Sequence, residues 1–195
     1  MKALIVIAHP NEASFSHAMA QAAAQTLYER GYSIVIHDLY VEQFDPVLTT
    51  SEETTDGPHD GLIEQHWSEL QASDLIAVFH PNWWGQPPAI LKGWIDRVFR
   101  PGVAYDYAAG AEHSSRPQGL LHAHSGLVFA TSNTSSEREQ AVFGNSLQIL
   151  WRNCVFDLCG VGRSEQRTFG PMSTSSAGTR LQWLEEVSTV VAHHA

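Results

Sequence analysis

Residues 2–9 read KALIVIAH, an almost unbroken run of apolar and β-branched side chains. Such a run is typical of a strand that is buried on both faces, as in the centre of a parallel sheet. A short loop, 10–14, follows it, and the Ala- and Gln-rich stretch 15–30 predicts a helix that ends at Gly31. We therefore expect a strand–loop–helix unit at the start of the chain.

The rest of the chain repeats this alternation. Further strands are predicted over residues 33–40, 75–80, 125–132 and 161–169, and further helices over 61–72, 87–99, 137–159 and 179–193. The helix over 137–159 is expected to break near Gly144, and 45–60 and 100–118 are predicted to be loops. The alternation indicates an α/β fold, a three-layer sandwich with a five-stranded parallel sheet. The length of 195 residues predicts one domain over residues 1–195.

The composition argues against several classes of function. Eleven Lys and Arg against 21 Asp and Glu give a net charge of −10, which is unsuited to binding a nucleic acid backbone. Cys154 and Cys159 have no zinc-type spacing, so neither a disulfide framework nor a metal is expected. No apolar run reaches the roughly 18 residues of a membrane span, and the start lacks a signal-peptide pattern. We expect a cytoplasmic protein with no metal, no nucleic acid partner and no stable membrane insertion.

Ligands of parallel α/β sheets bind beyond the carboxyl ends of the strands, so the loops there are candidate sites. The first loop, residues 9–16, contains His9, Ser14, Phe15 and Ser16 where a strand leads into a helix. This arrangement suits a phosphate group, although the loop matches neither GxGxxG nor the P-loop. A simple helix cap by Ser14 or Ser16 is the alternative.

The tryptophan loop, residues 80–88, contains Pro81, Asn82, Trp83 and Trp84. Two adjacent tryptophans between prolines cannot both be buried easily, which favours an aromatic shelf for a flat heterocycle. A packing cluster or an oligomer interface is the alternative, since tryptophan is enriched at interfaces.

The third loop, residues 131–136, contains Thr131, Ser132, Asn133 and Thr134. These small polar residues can hydrogen-bond the polar edge of a ring system or cap the next helix. The three loops together offer groups for a phosphate, for the face of a flat ring and for its polar edge. That combination favours a flavin.

Two segments resemble the flavodoxin-like NAD(P)H:quinone oxidoreductase family, in particular its bacterial NAD(P)H oxidoreductases, and the resemblance covers most of the chain. They read AHP at 8–10 with SFS at 14–16, and WWG at 83–85 with PAILKGWIDRVF at 88–99. The resemblance implies a flavodoxin-like domain and a homodimer with non-covalent FAD or FMN at two sites between the subunits. NAD(P)H and a small quinone-like acceptor would be the substrates.

The resemblance also implies a role for each loop. The first loop would bind the ribityl phosphate, the tryptophan loop would line the isoalloxazine, and the third loop would donate to the pyrimidine side. Animal members carry two glycines there, followed by a tyrosine and a histidine that relay charge to the reduced flavin. Here Ser132 and Asn133 replace the glycines, no tyrosine follows, and Phe143 lies near the position of the histidine. We assign no such relay, and Asn133 and Thr134 are the candidates for polarising the ring.

The expected activity is hydride transfer from NAD(P)H through the flavin to a quinone or a similar small acceptor, with the flavin carrying the chemistry. Two alternatives belong to other classes. A flavodoxin-like electron carrier would suit the acidic charge, because acidic surfaces steer redox partners. A regulatory flavoprotein subunit of a potassium-efflux system is implied by some relatives of this family.

Overall fold

Five parallel strands form the central sheet of the computed structural model, which describes residues 1–53, 60–108 and 116–195. The strands of this sheet are β1 (Lys2–Ile7), β2 (Ser33–Asp38), β3 (Leu75–Pro81), β6 (Ser125–Thr131) and β7 (Arg163–Phe169). Two short strands, β4 (Tyr105–Asp106) and β5 (Gln118–Gly119), pair with each other outside it. The order across the main sheet is β2-β1-β3-β6-β7, and every pairing in it is parallel. The predicted five-stranded parallel sheet is confirmed.

Helices cover both faces of this sheet. They are α1 (Phe15–Glu29), α2 (Gly61–Gln71), α3 (Ala89–Val98), α4 (Ser136–Arg138), α5 (Ser146–Gln148) and α6 (Ala177–His194), with π-helical segments over Glu139–Phe143 and Ile149–Phe156. One hydrophobic core joins the sheet to α1 and α6, and the other joins it to α2, α3 and the segment after α5. The three predicted layers are therefore present.

No helix in residues 1–53, 60–108 and 116–195 is both long enough and apolar enough to cross a membrane.

Burial on both faces explains why the strands read as continuous apolar runs. Leu4 and Val6 of β1 belong to one core, whereas Ala3 and Ile5 belong to the other, and all four are fully buried. Every residue of β3 and β6 is buried as well. An apolar side chain is therefore required at successive positions and not only at alternate ones.

The strand ends differ from the prediction by two residues. β1 ends at Ile7 and not at residue 9, β2 ends at Asp38 and not at residue 40, and β7 begins at Arg163 and not at residue 161. The end of β2 has a clear cause, because Asp38 Oδ1 accepts hydrogen bonds from the N–H groups of Tyr40 and Val41 at 3.1 and 3.3 Å. An aspartate that binds the backbone ahead of it turns the chain out of the sheet.

The predicted helix over 137–159 is divided into short pieces. The predicted break near Gly144 is confirmed, since Gly144 and Asn145 have φ values of 65° and 53°. A right-handed helix cannot continue through two left-handed residues. The segments after α4 and α5 are π-helical, a form that the apolar spacing does not reveal.

The loop prediction for 100–118 is wrong in part, because Tyr105 pairs antiparallel with Gly119 and Asp106 with Gln118. Strands of two residues are too short to leave a pattern. Residues 109–115 of this loop, and residues 54–59 of the predicted loop 45–60, lie outside the residues that the structure describes.

Candidate functional site

A cavity of about 890 Å³ opens beyond the carboxyl ends of β1, β3 and β6. It lies where the chain order of the sheet reverses beside β1, the expected position for a ligand in an open parallel sheet. The predicted site residues that line it are His9, Ser14, Phe15, Pro81, Asn82, Trp83, Trp84, Thr131, Ser132, Asn133 and Thr134. Ser16 is not among the lining residues, and it is buried, with 1% of its area exposed.

The first loop is held by a short hydrogen-bond network. Ser14 caps α1, and its Oγ accepts from the N–H of His17 at 3.3 Å, so the capping alternative is correct for this residue. The N–H of Asn11 donates to Nδ1 of His9 at 3.0 Å, and its Oδ1 accepts from the N–H of Ala13 at 2.9 Å. Burial lowers the pKa of His9 below its ordinary 6.5, which makes its ring neutral at pH 7. The cap and the cavity wall are thus built from the same residues.

The tryptophan loop makes a tight turn that presents one ring entirely to solvent. Trp83 and Gln86 exchange backbone hydrogen bonds of 3.0 and 3.1 Å, and Trp84 and Gly85 between them have φ values of 59° and 74°. Ser146 Oγ donates to the carbonyl of Gly85 at 2.6 Å and holds the turn. Trp84 is fully exposed at 101 % of its reference area, so a packing cluster within the chain is the wrong interpretation for it.

The left-handed backbone of Trp84 is strained, because a residue with a Cβ atom loses about 1–2 kcal/mol in that conformation. Glycine would fit the position at no such cost. Strain of this kind is found at ligand sites and interfaces. The turn therefore holds the indole outward over the cavity at the expense of stability.

Glu139 joins the tryptophan loop to the third loop, and the sequence patterns did not identify it. Its Oε1 accepts from Asn82 Nδ2 at 2.9 Å and from Ser132 Oγ at 3.1 Å, and the residue lines the cavity. Ser132 Oγ in turn accepts from the N–H of Thr134 at 3.0 Å. Glu139 lies in the π-helical segment after α4, and no local motif marks it as more than a surface carboxylate.

A fourth loop, which follows β7, reaches the same cavity. Met172 lines the cavity, and its N–H donates to the carbonyl of Ser132 at 2.9 Å. The N–H of Ser173 donates to Oδ1 of Asn133 at 2.9 Å, so Asn133 holds this loop through its side-chain oxygen. The position of β7 beside β6 is the signal that could have found it, because all parallel strands end at one edge.

Arg138 is a cavity residue that the sequence patterns also did not identify. Its guanidinium lies 5.7 Å from the ring centroid of Phe143, a cation–π contact at the rim. It places a permanent positive charge at the cavity of a chain whose net charge is −10.

His80, at the end of β3, is fully buried and does not line the cavity. Trp151 Nε1 donates to its Nε2 at 3.1 Å, and its Nδ1 bonds the carbonyl of Pro81 at 2.9 Å. Burial lowers the pKa of His80 to about 4, so the ring is neutral and supports the tryptophan loop from below.

A group of possible metal ligands lies away from the cavity, at His37, Glu42 and His66. Trp94 Nε1 donates to Nδ1 of His66 at 3.0 Å, which places the proton of that imidazole on Nε2, 3.3 Å from Glu42. A nitrogen that carries a proton cannot bind a metal ion. The hydrogen bonds therefore fit a buried ionic network better than a metal centre.

The fold and the cavity together define an α/β protein of strand order β2-β1-β3-β6-β7 with a candidate ligand site at the reversal beside β1. The chain belongs to the Flavodoxin_2 family, described as having a flavodoxin-like fold, whose model matches residues 1–187. The family and the flavodoxin-like fold expected from the sequence are confirmed.

Named relatives agree with this assignment. The chain is 36% identical over 178 residues to a Haemophilus influenzae protein named "Uncharacterized NAD(P)H oxidoreductase", covering 87% of this chain and 84% of the relative. It is 30% identical over 208 residues to rat NAD(P)H dehydrogenase [quinone] 1, covering 94% of this chain and 74% of the relative. The solved NAD(P)H:quinone oxidoreductase of Methanothermobacter marburgensis, 24% identical, has the same fold with a TM-score of 0.85, covering 99% and 96% of the two chains.

Proposed function

We propose that the protein is a flavin-dependent oxidoreductase that passes a hydride from NAD(P)H to a quinone or a similar small acceptor. The convergence of the first, tryptophan and third loops on one cavity of about 890 Å³ carries the proposal. The names of the curated relatives, an NAD(P)H oxidoreductase and an NAD(P)H dehydrogenase [quinone], support it. When bound, the flavin supplies the hydride chemistry, and the protein supplies binding, orientation and electrostatics.

The start of α1 fits the phosphate of a flavin. The N–H groups of Phe15 and Ser16 are the first two of the helix and have no carbonyl within it to bind, and the helix dipole favours an anion there. Ser16 Oγ is buried and has no hydrogen-bond partner among the residues that the structure describes. FAD and FMN share this phosphate, and the proposal covers both.

The other two loops fit the ring. The indoles of Trp83 and Trp84 offer flat faces for stacking at the cavity rim. The amide NH₂ of Asn133 and the hydroxyl of Thr134 would donate to the pyrimidine oxygens, and they would polarise the ring in the absence of a Tyr/His pair. Glu139 fixes the distance between the two loops through Asn82 and Ser132.

We also propose that the enzyme is a homodimer whose second subunit covers the rim of the cavity. The full exposure of Trp84 and the partial exposure of Phe143 leave an apolar rim that a monomer would expose to water. The cytoplasm is the proposed location, since NAD(P)H is supplied there.

The two alternatives are weaker. A one-electron carrier needs no second ligand, whereas this cavity is large enough for a flavin and leaves room at its open rim for a substrate. The regulatory role has no feature of the described residues that favours it.

The proposal is tested by titrating protein stripped of ligand with FMN and with FAD. Quenching of flavin fluorescence should saturate at one flavin per chain, because the rings stack on the indoles. Denaturation should release the flavin intact, since the bond is non-covalent. Failure of both flavins to bind in calorimetry and in fluorescence would remove the basis of the proposal.

A further inference from the structure

Ser14, His17 and Asp38 form a continuous hydrogen-bonded chain from the cavity into the protein. Ser14 lines the cavity, and its Oγ lies 2.9 Å from Nδ1 of His17. Nε2 of His17 lies 2.7 Å from Oδ2 of Asp38, at the end of β2. The side chains of His17 and Asp38 are only 10% and 16% exposed, so solvent screens the pair weakly.

Asp38 determines which nitrogen of His17 carries a proton. Its Oδ1 accepts from the N–H groups of Tyr40 and Val41, and its Oδ2 lies 2.7 Å from Nε2 of His17. An ionised carboxylate only accepts hydrogen bonds, so Nε2 of His17 must donate to it. The remaining nitrogen, Nδ1, faces the hydroxyl of Ser14.

Two arrangements of the Ser14 hydroxyl are then available. When His17 is neutral, Nδ1 has no proton and the hydroxyl of Ser14 donates to it. When His17 is protonated, Nδ1 donates to Ser14 Oγ, and the hydroxyl proton turns away from His17. Because Ser14 caps α1 at the cavity wall, that proton is then available to a ligand.

We propose that His17 is a positioning residue for the flavin phosphate: phosphate binding transfers a proton from solvent to Nδ1 of His17, and the hydroxyl of Ser14 turns to donate to the phosphate. This inference rests on the proposed function and adds the device by which the phosphate is recognised. The imidazolium would also supply a positive charge to the phosphate through Ser14, and the carboxylate of Asp38 would balance that charge.

The surroundings of His17 leave this choice to the ligand. The titratable groups that face it are Asp38 from β2 and His9 after β1, whose ring centroid lies 6.4 Å away. No side chain of α6 forms an ion pair or hydrogen bond with His17 in the part of the chain that the structure describes. A phosphate dianion bound at the start of α1 would attract the positive charge of a protonated His17 and so favour that form.

The first test compares FMN with riboflavin, which has the same ring and no phosphate. In His17→Gln, affinity for FMN should fall about tenfold, the value of one lost charge-assisted hydrogen bond, whereas affinity for riboflavin should stay within about twofold. His122→Gln, which changes an exposed histidine outside the cavity, should leave both affinities unchanged. Equal loss of FMN and riboflavin binding in His17→Gln would mean that His17 only supports the loop, and the proposal would be wrong.

The second test measures protons by calorimetry of FMN binding in buffers of different ionisation enthalpy, at a pH where the free phosphate is a dianion. The wild-type protein should take up a proton on binding FMN and none on binding riboflavin. Asp38→Asn removes the negative charge behind His17 and leaves one acceptor oxygen where the carboxylate has two, so the amide cannot accept from both the backbone and Nε2 of His17. It should abolish the proton uptake even if His17→Gln does not fold. Tight FMN binding without proton uptake in the wild type overturns the inference but leaves the proposed function intact, whereas absence of any flavin binding overturns both.

Discussion

Replacing His37 with leucine is expected to lower the free energy of unfolding by about 3 kcal/mol near pH 5.5, because it leaves two carboxylates without their common cation. His37 is 2% exposed, and its Nδ1 and Nε2 lie 2.7 and 2.6 Å from carboxylate oxygens of Glu42 and Glu69. His66 stacks on its ring at a centroid distance of 3.7 Å. The network ties the end of β2 to α2, so its loss affects the whole fold.

The effect should depend on pH in a defined window. Burial alone would lower the pKa of His37, but the hydrogen bonds and charges of Glu42 and Glu69 outweigh burial and raise it above the ordinary 6.5. Its contribution is therefore present below pH 6.5 and is lost as pH rises through the raised value. Burial would raise the pKa of Glu42, but contacts with His37 and His66 lower it from 4.5 to about 2, so its contribution is lost as pH falls through that range.

Denaturant unfolding at about pH 5.5 and about pH 8.5 measures this difference. The difference in the free energy of unfolding between wild type and His37→Leu should be larger at the lower pH. Lys92→Gln is the control, because it removes an exposed pair with Asp96 and should change stability by no more than about 0.5 kcal/mol. A difference that is small, or the same at both pH values, would contradict the assignment of a charged His37.

Replacing Trp84 with glycine should move stability and flavin affinity in opposite directions. Glycine relieves the left-handed backbone, so the free energy of unfolding should stay constant or rise by up to about 1 kcal/mol. Flavin affinity should fall by roughly 5- to 150-fold, because stacking of a flat heterocycle on an aromatic ring contributes roughly 1–3 kcal/mol. Trp84→Ala keeps the strain and should lose affinity with unchanged stability.

Three measurements distinguish a role of Trp84 in flavin binding from a role in subunit contact. Flavin titration and denaturant unfolding give the two energies, and light scattering gives the oligomeric state. Tyr28→Ala, which removes another exposed aromatic ring, should leave flavin affinity unchanged. Dissociation of Trp84→Gly into monomers that bind flavin as tightly as the wild type would assign the indole to subunit contact alone.

The sheet and the position of the cavity could be predicted from the sequence because both follow from periodic or local signals. The apolar runs at β1, β3 and β6 are required by burial on both faces, and the loops after them must meet at one edge. The sequence predicts that at least one of the two adjacent indoles is exposed, since a loop cannot bury both easily, and Trp84 is the exposed one. Its left-handed backbone was not predicted, because no glycine marks the position.

The residues that sequence patterns did not identify act over long separations. Glu139 reaches Asn82 across 57 positions, and Ser173 reaches Asn133 across 40. The network of His37 with Glu69 spans 32 positions and depends on how α2 packs against β2. Contacts of this kind depend on how the helices pack on the sheet, and they produce no regular spacing of residues in the sequence.

The most direct test of the account is anaerobic addition of NADH or NADPH to the protein loaded with flavin. The visible absorbance of the flavin should bleach with one equivalent of at least one nucleotide, and a small quinone added afterwards should restore it. The same flavin free in solution, mixed with the same nucleotide, serves as the control and should react far more slowly. A protein-bound flavin that stays oxidised with both nucleotides, or reacts no faster than free flavin, would contradict the proposed oxidoreductase.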